Sequence, residues 1–182
     1  MRTLKIWHAF VLFAGMSLAL TSCNKKDDEI KLDFEITVPE DWNYYVLNQG
    51  NFVYYASSPL ENSTDSITED LLITREKITG VTLDPYYAAL IDNLEEDTSY
   101  HMIYTTDTTI NGTAAKKFIH LQTLFATNAS TLDTLELHAK ILKFAFARNN
   151  YGYVVSFNAL DDTFDDYKAE FDEIMSSFKF IN

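Results

Sequence analysis

Asn149-Asn150-Tyr151-Gly152-Tyr153-Val154-Val155-Ser156-Phe157-Asn158-Ala159-Leu160, then Thr163-Phe164-Asp165-Asp166-Tyr167 and the run on to Met175, is the stretch that decides the fold. Tyr151 to Leu160 is rich in residues that suit a pleated, half-buried surface, so it reads as a strand after a turn at Asn149-Asn150. The period then changes. Phe164, Tyr167, Phe171, Ile174 and Met175 recur at helical spacing and put one apolar stripe on a helix. Thr163 stands where a cap belongs, and Asp165 and Asp166 suit the positive end of the helix dipole. Each element has an apolar face to cover, so the consistent architecture is α+β, an antiparallel sheet with helices packed on its faces.

Upstream the same two periods alternate. Ile30-Lys31-Leu32-Asp33-Phe34-Glu35-Ile36 alternates apolar with polar, the pattern of a strand with one wet face. Val38 to Trp42 reads as a turn, Asn43 to Leu47 and Phe52 to Ser57 as an extended pair around Asn48-Gln49-Gly50-Asn51, Ser58 to Asp70 as a polar loop, and Leu71 to Ile78 as a strand. Asp84-Pro85 signals a helix start, with Asp84 as N-cap and Pro85 first in the helix, and Tyr86, Tyr87, Leu90, Ile91 and Leu94 carry its stripe to about Glu96. Tyr100 to Thr106, Ala114 to Phe125 and Leu135 to Ala147 complete the strands. Asn111-Gly112 makes a tight hairpin turn, because both residues tolerate positive φ.

The first 22 residues are a different kind of sequence. Arg2 and Lys5 precede the apolar run Ile6 to Leu20, which is shorter than the roughly 20 residues a membrane-spanning helix needs. Secretion followed by cleavage is the better reading. Leu20-Thr21-Ser22-Cys23, ending on the single cysteine of the chain, resembles a bacterial lipobox. The resemblance implies a signal peptide over 1–22, cleavage before Cys23, a diacylglycerol thioether on its sulfur and an additional palmitate-type chain on the new amine. Two chains suffice for stable anchoring where one does not. Residues 23–31 form the lipidated cysteine and a charged tether, and 32–182 one domain. Asn24-Lys25-Lys26-Asp27-Asp28-Glu29 reads as a solvated spacer by charge alone. It also resembles the export signal that carries lipoproteins of some Gram-negative bacteria to the outer surface, which implies an outer-membrane lipoprotein of the cell envelope with surface exposure as the further step.

Charge excludes some partners. The signal takes two of the 14 Lys and Arg and none of the 27 Asp and Glu, so the mature chain carries 12 minus 27, or −15. Such a surface repels phosphate backbones, so no nucleic-acid partner is expected.

The chain from 32 to 181 resembles the PsbP-like domains. The residues that carry the likeness are Ile36-Thr37-Val38-Pro39 with Trp42, Val81-Thr82-Leu83-Asp84-Pro85-Tyr86, Ile110-Asn111-Gly112-Thr113-Ala114, Tyr151-Gly152-Tyr153-Val154-Val155 and Ser177-Phe178-Lys179-Phe180. The resemblance implies an αβα sandwich that serves as a binding or assembly module. The family's photosystem role is not implied, because those subunits dock through a specialised N-terminal extension and this chain has a lipobox and tether there.

Motifs for chemistry are few. No Gly-x-Ser-x-Gly elbow, phosphate-cradling glycine loop or His-Glu-x-x-His pattern occurs, and no metal or cofactor is expected. His101, His120 and His138 fall on predicted strands without a ligand-like spacing, and the loop acids Glu61, Asp65, Glu69 and Asp70 lack the run of a calcium loop. Tyr44-Tyr45 and Tyr54-Tyr55 are adjacent pairs on strands, so one ring of each pair faces outward as a candidate contact for a partner. Ser66, Thr108 and Thr134 each follow an Asp in a pattern that resembles an O-glycosylation acceptor, expected in loops or strand ends. The function expected is a noncatalytic, membrane-anchored lipoprotein that binds a protein or glycan partner. The competing expectation is a hydrolase using His and carboxylates brought together across the sheet.

Overall fold

The computed structural model describes residues 31–60, 68–127 and 134–181. Among these described residues, nine strands and two helices follow in the order β1 (Phe34–Glu35), β2 (Asn43–Gln49), β3 (Phe52–Ser57), β4 (Asp70–Lys77), α1 (Leu83–Glu95), β5 (His101–Ile110), β6 (Thr113–Thr127), β7 (Thr134–Arg148), β8 (Tyr151–Leu160), α2 (Phe164–Ser177) and β9 (Lys179–Phe180). Seven strands form one antiparallel sheet in the order β2-β3-β4-β8-β7-β6-β5, and β1 pairs with β9 in a separate two-stranded ribbon. The α+β reading of the sequence therefore holds.

Turn chemistry fixes two hairpins. Asn111 and Gly112 have φ of 46° and 80° between the paired residues Ile110 and Thr113, and Asn149 and Asn150 have φ of 52° and 65° between Arg148 and Tyr151. Positive φ at both central residues matches the right-handed twist of the flanking strands.

The two faces of the sheet are covered differently. On one, α2 and the β1–β9 ribbon bury a continuous aromatic core: Phe171 lies 4.8 Å from Phe157 between ring centroids, and Phe178 lies 5.2 Å from Phe146 and 5.4 Å from Phe34. On the other, α1 packs over Phe118, Ala145 and Val154 with Tyr86 and Leu94. Gly152 lies under α1, where an added Cβ would come within 2.3 Å of the Tyr86 ring, so any side chain there forces that ring to move. Lys116 ties the N-terminal turn of α1 to the sheet edge by reaching Asp84 at 2.7 Å and Asp107 at 2.5 Å.

Three local expectations are corrected. Of the alternating stretch Ile30 to Ile36, whose described part begins at Lys31, only Phe34–Glu35 is strand among the described residues, because its partner is the short C-terminal β9 rather than the main sheet. The α1 N-cap is Thr82, not Asp84. Pro85 is then the third helical residue, which is tolerated because the first four amides of a helix have no partner within it. Thr163 is the N-cap of α2 by position, yet its hydroxyl lies near Glu69 Oε1 and the Leu160 carbonyl, each at 3.5 Å, rather than closing on a helix amide.

Candidate functional site

Edge strand β2 is Asn-Tyr-Tyr-Val-Leu-Asn-Gln, seven residues without charge or proline. Among the described residues it pairs with β3 alone, leaving the outer row of backbone donors and acceptors unpaired. Natural sheets protect such an edge with charge, proline or cover, because it templates pairing with another chain. Here the edge instead carries Tyr44, Tyr45 and Val46 at 62%, 57% and 44% exposure.

The four tyrosines do not play equal parts. Tyr54 faces the α2 core and is 5% exposed, so it is withdrawn from the contact surface expected of it. It supports Tyr44 instead, with ring centroids 6.1 Å apart and planes inclined by 12°. Burial, with Tyr44 alongside, pushes the Tyr54 hydroxyl up to about 12. Tyr45 sits directly across from half-buried Tyr55 on the opposite face of the sheet, as successive strand residues must. Burial first, and Asp70 second, raise the Tyr55 hydroxyl.

A cleft of about 210 Å³ adjoins the start of β2, lined by Asp41, Trp42, Ser58, Pro59, Tyr167 and Glu170. Trp42 is held from behind by Phe171, edge-on at 6.4 Å. Burial raises the Glu170 carboxyl, Asp41, Glu69 and Glu173 add to that effect, and a hydrogen bond from Trp42 offsets part of it. Sequence reasoning missed this cleft. Glu170 beside the apolar stripe of α2 was the available signal, but nothing local places Ser58-Pro59 against it.

The α1 face carries buried polar groups beyond the reach of the helix. Asp70, whose carboxylate accepts a hydrogen bond from Asn158, is pushed up to about 7, chiefly by burial. Lys143 is lowered to about 8 by burial. His120 is fully buried against the rings of Tyr100 and Phe118, and neither ring nitrogen has a hydrogen-bond partner among the described residues. Burial, then the Lys143 charge, lower it to about 3. Gln122, next on that face, donates to Asp97 at 2.8 Å, and Asp97 is held below its ordinary range first by the Ser99 amide.

These positions do not assemble a hydrolytic centre among the described residues. His120 has a lysine rather than a carboxylate as its electrostatic neighbour. His138 has Thr123 at 3.5 Å and Glu136 at 3.7 Å, but it stands two-thirds exposed on the β6–β7 ribbon, where water screens the contact. His101 is exposed on β5. No group of three His, Cys, Asp or Glu is placed to hold a metal among the described residues.

Of the remaining sequence candidates, Cys23, Glu61, Asp65 and Ser66 lie outside the described residues. Glu69 is buried and accepts from Ser58 at 2.9 Å, so it does not project from a solvated acidic loop. Thr134 is exposed at the first position of β7. Thr108 is half-buried within β5, not in a loop or at a strand end, because β5 runs on to Ile110.

No protein-family model and no curated protein matches the chain. Solved structures do. The cyanobacterial PsbP, CyanoP, from Synechocystis sp. PCC 6803 superposes with a TM-score of 0.54 at 15% identity, over 81% of this chain and 86% of CyanoP. LpqN, involved in cell envelope biogenesis of Mycobacterium tuberculosis, gives 0.55 at 12% identity, over 82% and 83%. PA94 of Pseudomonas aeruginosa, a protein of unknown function, gives 0.54 at 11%, over 82% and 85%. The chain therefore has the PsbP-like fold, and none of these three proteins is described by a catalytic activity.

Proposed function

We propose that the protein is a noncatalytic envelope lipoprotein, anchored through acylated Cys23, whose PsbP-like domain binds a protein or glycan partner at the membrane surface. The observation that carries this reading is the uncharged β2 edge with Tyr44, Tyr45 and Val46 exposed together. Large aromatics at low rotamer cost are the residues interfaces favour. LpqN, an envelope-biogenesis protein, uses the same fold, which makes that setting compatible with it. The likeness of Leu20-Thr21-Ser22-Cys23 to a lipobox, and of the charged tether after it to an export signal, support an outer-membrane location in a Gram-negative cell, with the domain at the outer surface.

The test is made in the native host. Cells fed an alkyne-labelled fatty acid should label the wild-type protein and not Cys23→Ser, which should leave the membrane fraction. A photo-crosslinking residue at position 44 or 45 should then capture one discrete envelope component, and the same residue at exposed Asp161 should not. An unlabelled protein, or equal capture from both sites, would refute the reading.

A further inference from the structure

The open edge and the acidic cleft share one end of the domain. Asp41 and Trp42 immediately precede the first residue of β2, and Ser58 and Pro59 immediately follow the last residue of β3. An extended segment lying beside β2 would meet an unpaired backbone row, then Tyr44 and Val46 on one face and Tyr45 on the other. Two to three residues further, roughly 7–10 Å at the strand rise, it would meet the cleft.

The cleft has a charge preference. Among the described residues, no Lys or Arg lies within ion-pair distance of Asp41, Glu69, Glu170 or Glu173, whereas Asp84, Asp107, Asp165 and Asp172 each have a lysine partner. Burial raises the Glu170 carboxyl first, and the charges of Asp41, Glu69 and Glu173 add to it. A cationic side chain entering beside Trp42 and Tyr167 relieves this repulsion and brings its apolar stem against the rings.

We propose that β2 accepts an extended segment of a partner protein as an added strand, with a Lys or Arg of that segment seated in the Asp41–Glu170 cleft. This rests on the binding-module reading and specifies its mode. Backbone pairing supplies affinity, while the cleft supplies selectivity. A second copy of the chain is a poor occupant, since two mature bodies, each with 12 Lys and Arg against 27 Asp and Glu, or −15, would bring like charge to the same end. A glycan lacks the regular donor and acceptor row that matches a strand edge.

The full chain in detergent micelles tests this against blocked decapeptides of alternating Thr and Val that carry Lys at one or the other end. Companion peptides replace Lys by Glu, or methylate alternate backbone nitrogens. One Lys peptide should slow amide exchange at Asn43–Gln49 by about tenfold and bind about tenfold more tightly than its Glu companion, the size of one favourable charge pair replaced by a repulsive one. Methylation on the pairing edge should abolish both effects. Asp41→Asn with Glu170→Gln should cut the Lys-over-Glu preference to about twofold yet keep the exchange protection. Asp41→Asn alone, at an exposed position, carries the test if the double variant folds poorly.

Equal binding of Lys and Glu peptides, or protection centred on β5, would overturn the proposal. So would β2 protection that appears without peptide and tracks a dimer by sedimentation, since the occupant would then be a second copy. Photo-capture of an envelope partner from position 44, with no peptide protecting β2, would retain the binding-module reading and remove only strand addition.

Discussion

The face of the sheet under α2 and the face under α1 are built to different standards. Under α2, the aromatic rings of Phe157, Phe164, Phe171 and Phe178 join side chains from five strands of the main sheet into one core. Under α1, the buried apolar set is Tyr86, Leu94, Phe118, Ala145 and Val154, and the same face continues into buried His120, Lys143 and Gln122 and half-buried Asp70. Apolar area buried sets the driving force, so global stability rests on the α2 side. The α1 side is where the chain tolerates titratable groups out of water, at a cost the other face offsets.

The largest expected effect separates the two cores. Phe171→Ala should lower unfolding free energy by about 3–5 kcal/mol, whereas Leu94→Ala, on a side chain with a thinner surround, should cost about 2 kcal/mol. Urea titration checks both. Equal losses would break the contrast between the faces.

Asp70 sharpens it through pH. Its folded-state pKa of about 7 lies above the ordinary carboxylate value of 3.8, so the stability it contributes is full below pH 4 and is lost as pH rises through 7. Asp70→Asn should therefore stabilise the protein at pH 8 by about 2 kcal/mol, less than the roughly 4 kcal/mol of the whole shift because the amide must still be desolvated. The variant should also flatten stability between pH 4 and 7. Thermal unfolding across that range reads the slope, and an unchanged slope would remove Asp70 from the account.

The smallest effect concerns His120. Neither ring nitrogen makes a well-formed hydrogen bond among the described residues, the imidazole is neutral at any pH above about 3, and the Leu121 backbone offsets only part of the desolvation. His120→Phe should be neutral to about 1 kcal/mol stabilising by urea titration, as expected when an unsatisfied polar group gives way to an apolar one of similar shape. A loss above about 2 kcal/mol would mean that the imidazole has a partner that matters to the fold.

Legibility in the sequence followed the range of the interactions. Tyr151 to Leu160, the α2 stripe and the Asn111-Gly112 and Asn149-Asn150 turns were readable because their signals are periodicity and positive φ, both local. The true extents of β6 and β7, one residue before and two beyond the expected Ala114 to Phe125 and one residue past each end of Leu135 to Ala147, were not, since long strands persist only while each lies beside the other. The cap at Thr82 escaped because Asp84-Pro85 imitates a helix start two residues after the true one.

By itself the sequence determined the elements, the alternation of sheet and helix, and the acidic character of the chain. Tertiary structure alone decided that Tyr54 enters the core while Tyr44 stays out, that β2 and β5 become edges, and that Asp41, Ser58 and Glu170 share one cleft. The reason is physical: periodicity assigns a side chain to one face of its own strand or helix, but which face is buried, and which strand is left without a neighbour, depends on strand order, and that is set by pairings between residues far apart in the chain.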